Sequence, residues 1–199
     1  MKNTILIISL WLCALAGNGS ICNNIERYSN TEEISKIESE YKNIKGVIGI
    51  VVCSSECKFG DTIVVYNDKN QIAQFIILKE EYEILALDCL DVTEEFYKVR
   101  LESGEVGYLD VASGKVLLNT FEEHILNLFS IEFESKNPPR KQASEKSEPI
   151  NFDKDCVFHP VKIEGDWLQV EWELNGNTNF GWVRWKKDDT ILIEFFYFA

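Results

Sequence analysis

EFYKVRLESGEVGYLD (residues 95–110) and DWLQVEWELNGNTNFGWVRW (residues 166–185) follow one pattern. Each opens on an acidic and then an aromatic residue, alternates apolar with polar side chains around a Val, and turns. Each then returns on Gly followed by an aromatic and an aliphatic residue. Phe96 corresponds to Trp167, Val99 to Val170, Leu101 to Trp172, Gly107 to Gly181 and Tyr108 to Trp182. Side chains alternate across a strand, so Tyr97, Val99 and Leu101 are expected inward, with Lys98 and Arg100 outward. Likewise Leu168, Val170, Trp172 and Leu174 face one way, and Gln169, Glu171 and Glu173 the other. Both stretches are therefore read as hairpins with one core face and one wet face. Gly107 and Gly181 open the return strands, where a missing side chain lets the backbone bend or approach closely. Such self-similarity marks a duplicated unit, and two copies indicate tandem domains rather than a solenoid.

Working outward, the chain from Val47 carries VIGIVVC, DTIVVYNDKNQIAQFIIL and YEILALDCL, runs rich in Val, Ile and Leu and bounded by Gly, Asn and Asp. These read as short antiparallel strands, with YNDKNQ as a turn. Residues 30–45 read instead as an amphipathic helix. Asn30 and Glu33 stand in capping-box positions, Ile34, Ile37, Tyr41 and Ile44 recur at helical spacing, and Gly46 ends it. VLLNTFEEHILNLFSIEFE fits both periods: Phe121, Ile125 and Leu128 suit a helix, while Phe129, Ile131 and Phe133 alternate as in a strand. KNPPRKQASEKSEP (residues 136–149) has adjacent prolines and mixed charges that build no core element, and is read as a long loop within the second unit. ILIEFFYF is apolar on both parities, as in a last strand buried on both faces where two units meet.

The aromatic-x-x-Val strand, Gly turn and Gly-[Trp/Tyr]-aliphatic return resemble the bacterial SH3-like (SH3b) domain family. The second copy is the closer, with Trp167, Val170, Gly181, Trp182 and Val183 completing the motif and residues 137–150 resembling that family's opening loop. In the first copy Phe96 and Tyr108 replace both tryptophans. The resemblance implies a mainly β chain of two tandem, small, partly open β-barrels, placed at residues 47–125 and 126–199. It also implies an exported binding module of the kind that attaches to cell walls.

The net charge of −13, from 20 Lys+Arg against 33 Asp+Glu, repels polyanions, so neither nucleic acid nor an anionic membrane surface is an expected partner. A hydrophobic fraction of 45% excludes a disordered chain. MKNTILIISLWLCALAGNG has the charged start, apolar run and Ala-x-Ala site of a secretory signal, so residues 1–16 are expected to be removed and residues 17–46 to form an N-terminal extension. The apolar run is too short to span a bilayer comfortably. A lipid anchor at Cys22 is the single membrane link considered, although Ile21 fits poorly before a lipidated cysteine. Export permits disulfides: Cys53 and Cys57 are close enough to close a small loop, and Cys89 with Cys156 is a further pairing. Free buried thiols remain an alternative. No second cysteine pair with zinc-ligand spacing accompanies Cys53 and Cys57, and no metal or cofactor is expected.

Catalysis finds no motif. His124 and His159 are the two histidines, and neither sits in a nucleophile signature; the acidic pairs are too numerous to single one out. The aromatic side chains remain. Trp167, Trp182 and Trp185, with Phe96 and Tyr108 as their first-copy counterparts, are the candidate ligand-binding residues. The expected function is a noncatalytic, exported, periplasmic or extracellular module binding a cell-wall peptide or glycan through an aromatic groove. The alternative is an interaction or inhibitor module whose acidic surface meets a basic protein.

Overall fold

The computed structural model describes residues 42–68, 70–79 and 84–198. The signal-like segment, Cys22 and most of the helix expected over residues 30–45 lie outside the described residues. The end of that expected helix is not helical: Asn43 bridges Thr190, Ile44 donates its N–H to Asp189 O, and the chain turns at Gly46, where φ is 74°. Residues 40–199 cluster as one compact unit.

The fold is mainly β. The first seven strands are β1 (Gly49–Cys53), β2 (Thr62–Tyr66), β3 (Ile72–Ile77), β4 (Ala86–Val92), β5 (Phe96–Arg100), β6 (Val106–Asp110) and β7 (Val116–Asn119). They form a single antiparallel sheet in the order β3-β2-β6-β5-β4-β1-β7. The sheet curls around a core of Val51, Val65, Leu87, Cys89, Val99 and Leu109, contributed by five strands. It does not close into a barrel, because β3 and β7 are its two ends. The β7 end nevertheless approaches the start of β2: Lys115, just before β7, donates to Thr62 O at 3.3 Å and pairs with Asp61 at 3.4 Å.

The segment that fits two periods resolves into both. After β7, helix α1 (Phe121–Leu126) begins at Thr120, whose hydroxyl accepts from Glu123 N–H while the Glu123 carboxylate accepts from Thr120 N–H. This reciprocal cap satisfies two donors that the first turn leaves over. Strand β8 (Ser130–Phe133) follows. Phe121, Ile125 and Leu128 are buried, as helical spacing requires.

The remaining strands are β9 (His159–Glu164), β10 (Trp167–Leu174), β11 (Asn177–Arg184), β12 (Lys186–Lys187), β13 (Thr190–Ile191) and β14 (Ile193–Phe196). They make a three-stranded sheet β11-β10-β9 and two small pairs, β12-β13 and β14-β8. These pieces do not close into a barrel either. Their core joins Ile125, Ile131, Leu168, Val170, Trp172 and Trp185, and it also takes Ile50 from β1. Consecutive residues of β1 thus serve different cores: Val51 faces into the curled sheet and Ile50 into the second cluster. The chain's last strand is less buried than its composition suggests. Ile191 and Ile193 are core, but Phe196 and Phe198 are exposed at 37% and 47%, which corrects the expectation of burial on both faces.

Both quoted stretches are antiparallel hairpins, and the register pairs Val99 with Gly107 and Val170 with Gly181. A Cβ on Gly107 would lie 2.5 Å from Val65 Cγ1, and one on Gly181 would lie 2.8 Å from Pro139 Cβ. Neither glycine has positive φ, so close approach rather than backbone conformation requires it. Residues 136–149 form an ordered loop against β11: Arg140 and Trp182 exchange N–H···O bonds of 2.9 and 2.8 Å, and Asn137 does the same with Arg184 through its side-chain amide, at 2.8 and 3.1 Å.

Candidate functional site

The five candidate ring residues fall in three environments. Trp185 lies just past β11, fully buried, with its indole N–H donated to Gly165 O at 2.9 Å and its ring 6.5 Å from that of Phe121. It is core, and no face of it is offered to a ligand; this corrects its place among the binding residues. Trp182 and Trp167 share the outer face of the β9-β10-β11 sheet, since Trp182 pairs with Gln169 and Trp167 with Arg184. Trp182, however, is 8% exposed, and the Lys162 ammonium sits 4.9 Å from its ring centroid. A cation over an indole face is a favourable pairing that already occupies the groove. Trp167 alone of the three tryptophans is half-buried.

Phe96 and Tyr108 sit differently. They stand on β5 and β6, on the face of the curled sheet turned away from its core, and Tyr66 of β2 lies opposite Tyr108 in register. The Phe96 ring is 5.7 Å from Tyr66 and 6.4 Å from Tyr108, both edge to face. All three are half-buried. In each edge-to-face contact one ring turns its edge to a face of the other, which fixes the rings and leaves the opposite face uncovered by that contact. The apolar surface continues onto the neighbouring strand β3, where Ile72 lies opposite Tyr66 and Phe75 opposite Val64, both 57% exposed. Lys98, opposite Tyr108, and Asp110, opposite Phe96, put one charge of each sign at the margin. The result is an aromatic platform spanning β5, β6 and β2 with an aliphatic flank on β3.

Sequence reasoning missed Tyr66, Ile72 and Phe75. TIVVY is apolar on both parities, so alternation does not mark which of its residues faces out. The signal available was that Ile63 and Val65 share one parity while Tyr66 stands on the other.

A second concavity lies between the two cores. It is a cavity of about 310 Å³ whose wall includes Cys53, Cys57, His124 and Tyr197. The structure holds Cys53 and Cys57 as free thiols close to each other rather than joined as the expected disulfide. Burial, followed by the neighbouring Cys57 thiol, pushes the Cys53 thiol up to about 12, so it stays protonated and is a poor nucleophile at neutral pH. His124 Nε2 lies 2.9 Å from Tyr197 Oη. Burial lowers the histidine to about 4, helped by the nearby Lys42 cation, and the ring is neutral at physiological pH. Cys53 and His124 thus line one cavity as a protonated thiol and a neutral imidazole. Cys89 and Cys156 are also free and apart: Cys89 is buried in the curled-sheet core and its thiol donates to Asp91 O, whereas that of Cys156 donates to Glu173 O.

The acidic residues gather at the open edge of β10, where β9 pairs no farther than Glu171. Asp153, Asp155, Glu171 and Glu173 line a cleft of about 660 Å³ there, with His159 held by a 2.6 Å contact between Nδ1 and Phe129 O. Among the described residues no three His, Cys, Asp or Glu side chains come together as metal ligands, and no helix is long and apolar enough to cross a membrane.

Comparison with family models, with curated proteins and with solved structures finds no match for this chain. The case for function therefore rests on the residues themselves.

Proposed function

We propose that this protein is a noncatalytic, exported binding module that recognises a cell-envelope peptide or glycan through the aromatic platform of Phe96, Tyr108 and Tyr66. The observation that carries this reading is the trio itself: three half-buried rings, with Phe96 in contact with both Tyr66 and Tyr108, on three adjacent strands of one open sheet face. Half-buried rings on a rigid sheet lose little conformational freedom on binding, and their faces suit the apolar faces of sugars and the side chains of extended peptides. The resemblance of both hairpins to SH3-like domains and the signal-like N-terminus support the same reading. Trp167 is a secondary contact, on the other sheet.

The test is cosedimentation of the mature protein with isolated cell-wall sacculi at low and high salt, beside a Phe96→Ala, Tyr108→Ala variant whose fold is verified by circular dichroism. The expected result is salt-resistant pelleting that the variant loses. Wild-type protein that remains in the supernatant at every salt concentration refutes the proposal.

A second reading has one specific observation in its favour, the cleft lined by Asp153, Asp155, Glu171 and Glu173. It is an interaction or inhibitor module that receives a basic protein there. Its binding falls steeply with ionic strength, because exposed charges are screened over about 8 Å at physiological salt.

A further inference from the structure

The cavity between the two cores has an apolar body and, among the described residues, a single charged lining residue. Val52, Phe59, Leu78, Ile84, Leu85 and Leu128 supply its apolar wall, and Lys58, exposed, is the one charged side chain among its described lining residues. Beside the Asn119 amide, the polar lining groups include several that are engaged within the protein. His124 bonds Tyr197, the Asn127 amide donates to Glu123 O at 2.8 Å, and Cys53 and Cys57 lie close to each other. A ligand with several polar groups would find few partners inside and would lose its hydration on entry. A ligand with a hydrocarbon body and one anionic head would match both parts of the site.

We propose that this cavity binds a medium-chain aliphatic carboxylate, its chain against Val52, Leu85 and Leu128 and its head group at the Lys58 ammonium. At about 30 Å³ per water-sized group, a volume of 310 Å³ holds about ten such groups, which sets the chain at roughly eight to ten carbons. The volume also falls at the lower end of the range for small-molecule pockets, and a mostly apolar lining with few convergent polar groups is their usual character. The Lys58 cation sets the polarity of the head: a carboxylate gains a charge-assisted contact, and an ammonium meets a like charge. This site is independent of the aromatic platform, which lies on the outward-facing side of β2, β6 and β5.

The experiment is isothermal titration of the reduced, full-length mature protein with decanoate, and separately with decylammonium, each below its micellar concentration. The expected result is one decanoate per chain, with decylammonium weaker by about tenfold or more, the worth of one charge-assisted contact. Lys58→Glu, at an exposed position where the fold tolerates change, reverses that order. In parallel, bound decanoate slows alkylation of Cys57 by iodoacetamide, read by peptide mass mapping, while alkylation of Cys156 keeps its rate. Absence of decanoate binding overturns the proposal. So does equal affinity for the two head groups, an unchanged preference in Lys58→Glu, or Cys57 labelling indifferent to decanoate.

Discussion

Gly107 is where the hairpin pattern makes its most exposed commitment to physical reasoning. Its φ lies outside the left-handed region, so Ala is conformationally permitted there, and in the absence of a steric obstacle the substitution would stabilise by about 0.4–1 kcal/mol through the unfolded chain. The obstacle is Val65 Cγ1, 2.5 Å from the Cβ that would be added, with both Leu101 methyl carbons at 3.3 Å. Val65 is fully buried and β-branched, so its χ1 cannot turn away without a new clash. Overpacking of this kind costs about 1–3 kcal/mol, and the net prediction for Gly107→Ala is a loss of about 1–2 kcal/mol. Val65→Ala removes the obstructing methyl and, taken alone, costs about 2 kcal/mol in lost burial and cavity formation. Combined, the new Cβ occupies space the valine has vacated. The double variant is therefore less destabilised than the sum of the singles by about 1–2 kcal/mol, within the range for contacting residues. Gly104 supplies the contrast. Its φ is 85° and nothing lies within 4 Å, so Gly104→Ala costs about 1–2 kcal/mol through backbone strain, and Val65→Ala merely adds to it. Urea unfolding followed by far-ultraviolet circular dichroism measures all five variants. Additivity of Gly107→Ala and Val65→Ala within about 0.5 kcal/mol would refute the steric reading of this glycine.

His124 gives a prediction in pH. Its folded value of about 4 lies below the ordinary value of 6.5, so the neutral ring is the form that folding favours. Its contribution is complete above pH 6.5, declines as pH falls from 6.5 towards 4, and amounts to about 3 kcal/mol across that window. His124→Asn flattens the stability curve between those limits, as measured by urea unfolding at half-unit intervals, and an unchanged slope removes His124 as its source. Thr120→Ala removes the hydroxyl half of the cap on α1 and is expected to cost about 1 kcal/mol, with Thr120→Ser retaining most of it. Cys53, with its thiol pushed up to about 12, is predicted to react with iodoacetamide at pH 8 far more slowly in the native protein than in urea. Equal rates in the two states would show that the thiol is neither shielded nor raised.

The hairpins were legible because two independent constraints coincide in them. Period-two alternation assigned the core face, placing Val99, Leu101, Leu168, Val170 and Trp172 inside, and the glycines stand where two elements come closest. The exposure of the rings was less legible, for a reason the tryptophans make plain. Parity assigns a face to a residue but not what packs on that face. Trp182 stands on the outward face as alternation requires, yet Lys162 from β9 lies over its ring and residues 136–149 pair with its backbone. Trp185 shares the parity of the core residue Val183, and its N–H bond to Asp166 O continues the ladder past Arg184, so alternation itself places it in the core.

The cavity lay further still from what sequence can disclose. Its wall joins Val52 and Phe59 with Leu78 and Leu85, Leu128 and Tyr197, and no local period relates positions so far apart. The position of β1 explains why space remains there. One strand whose alternate residues must satisfy two cores holds both at fixed distance, so neither core can relax fully towards the other. Packing density is then lost at their junction, beside Val52 at the end of β1, where Cys53, Leu85, Leu128 and Tyr197 border space that none of them fills. Leu85 belongs to one core and Leu128 to the other, so a larger apolar side chain at either is expected to close that space and to cost up to about 1–3 kcal/mol where it crowds its own core.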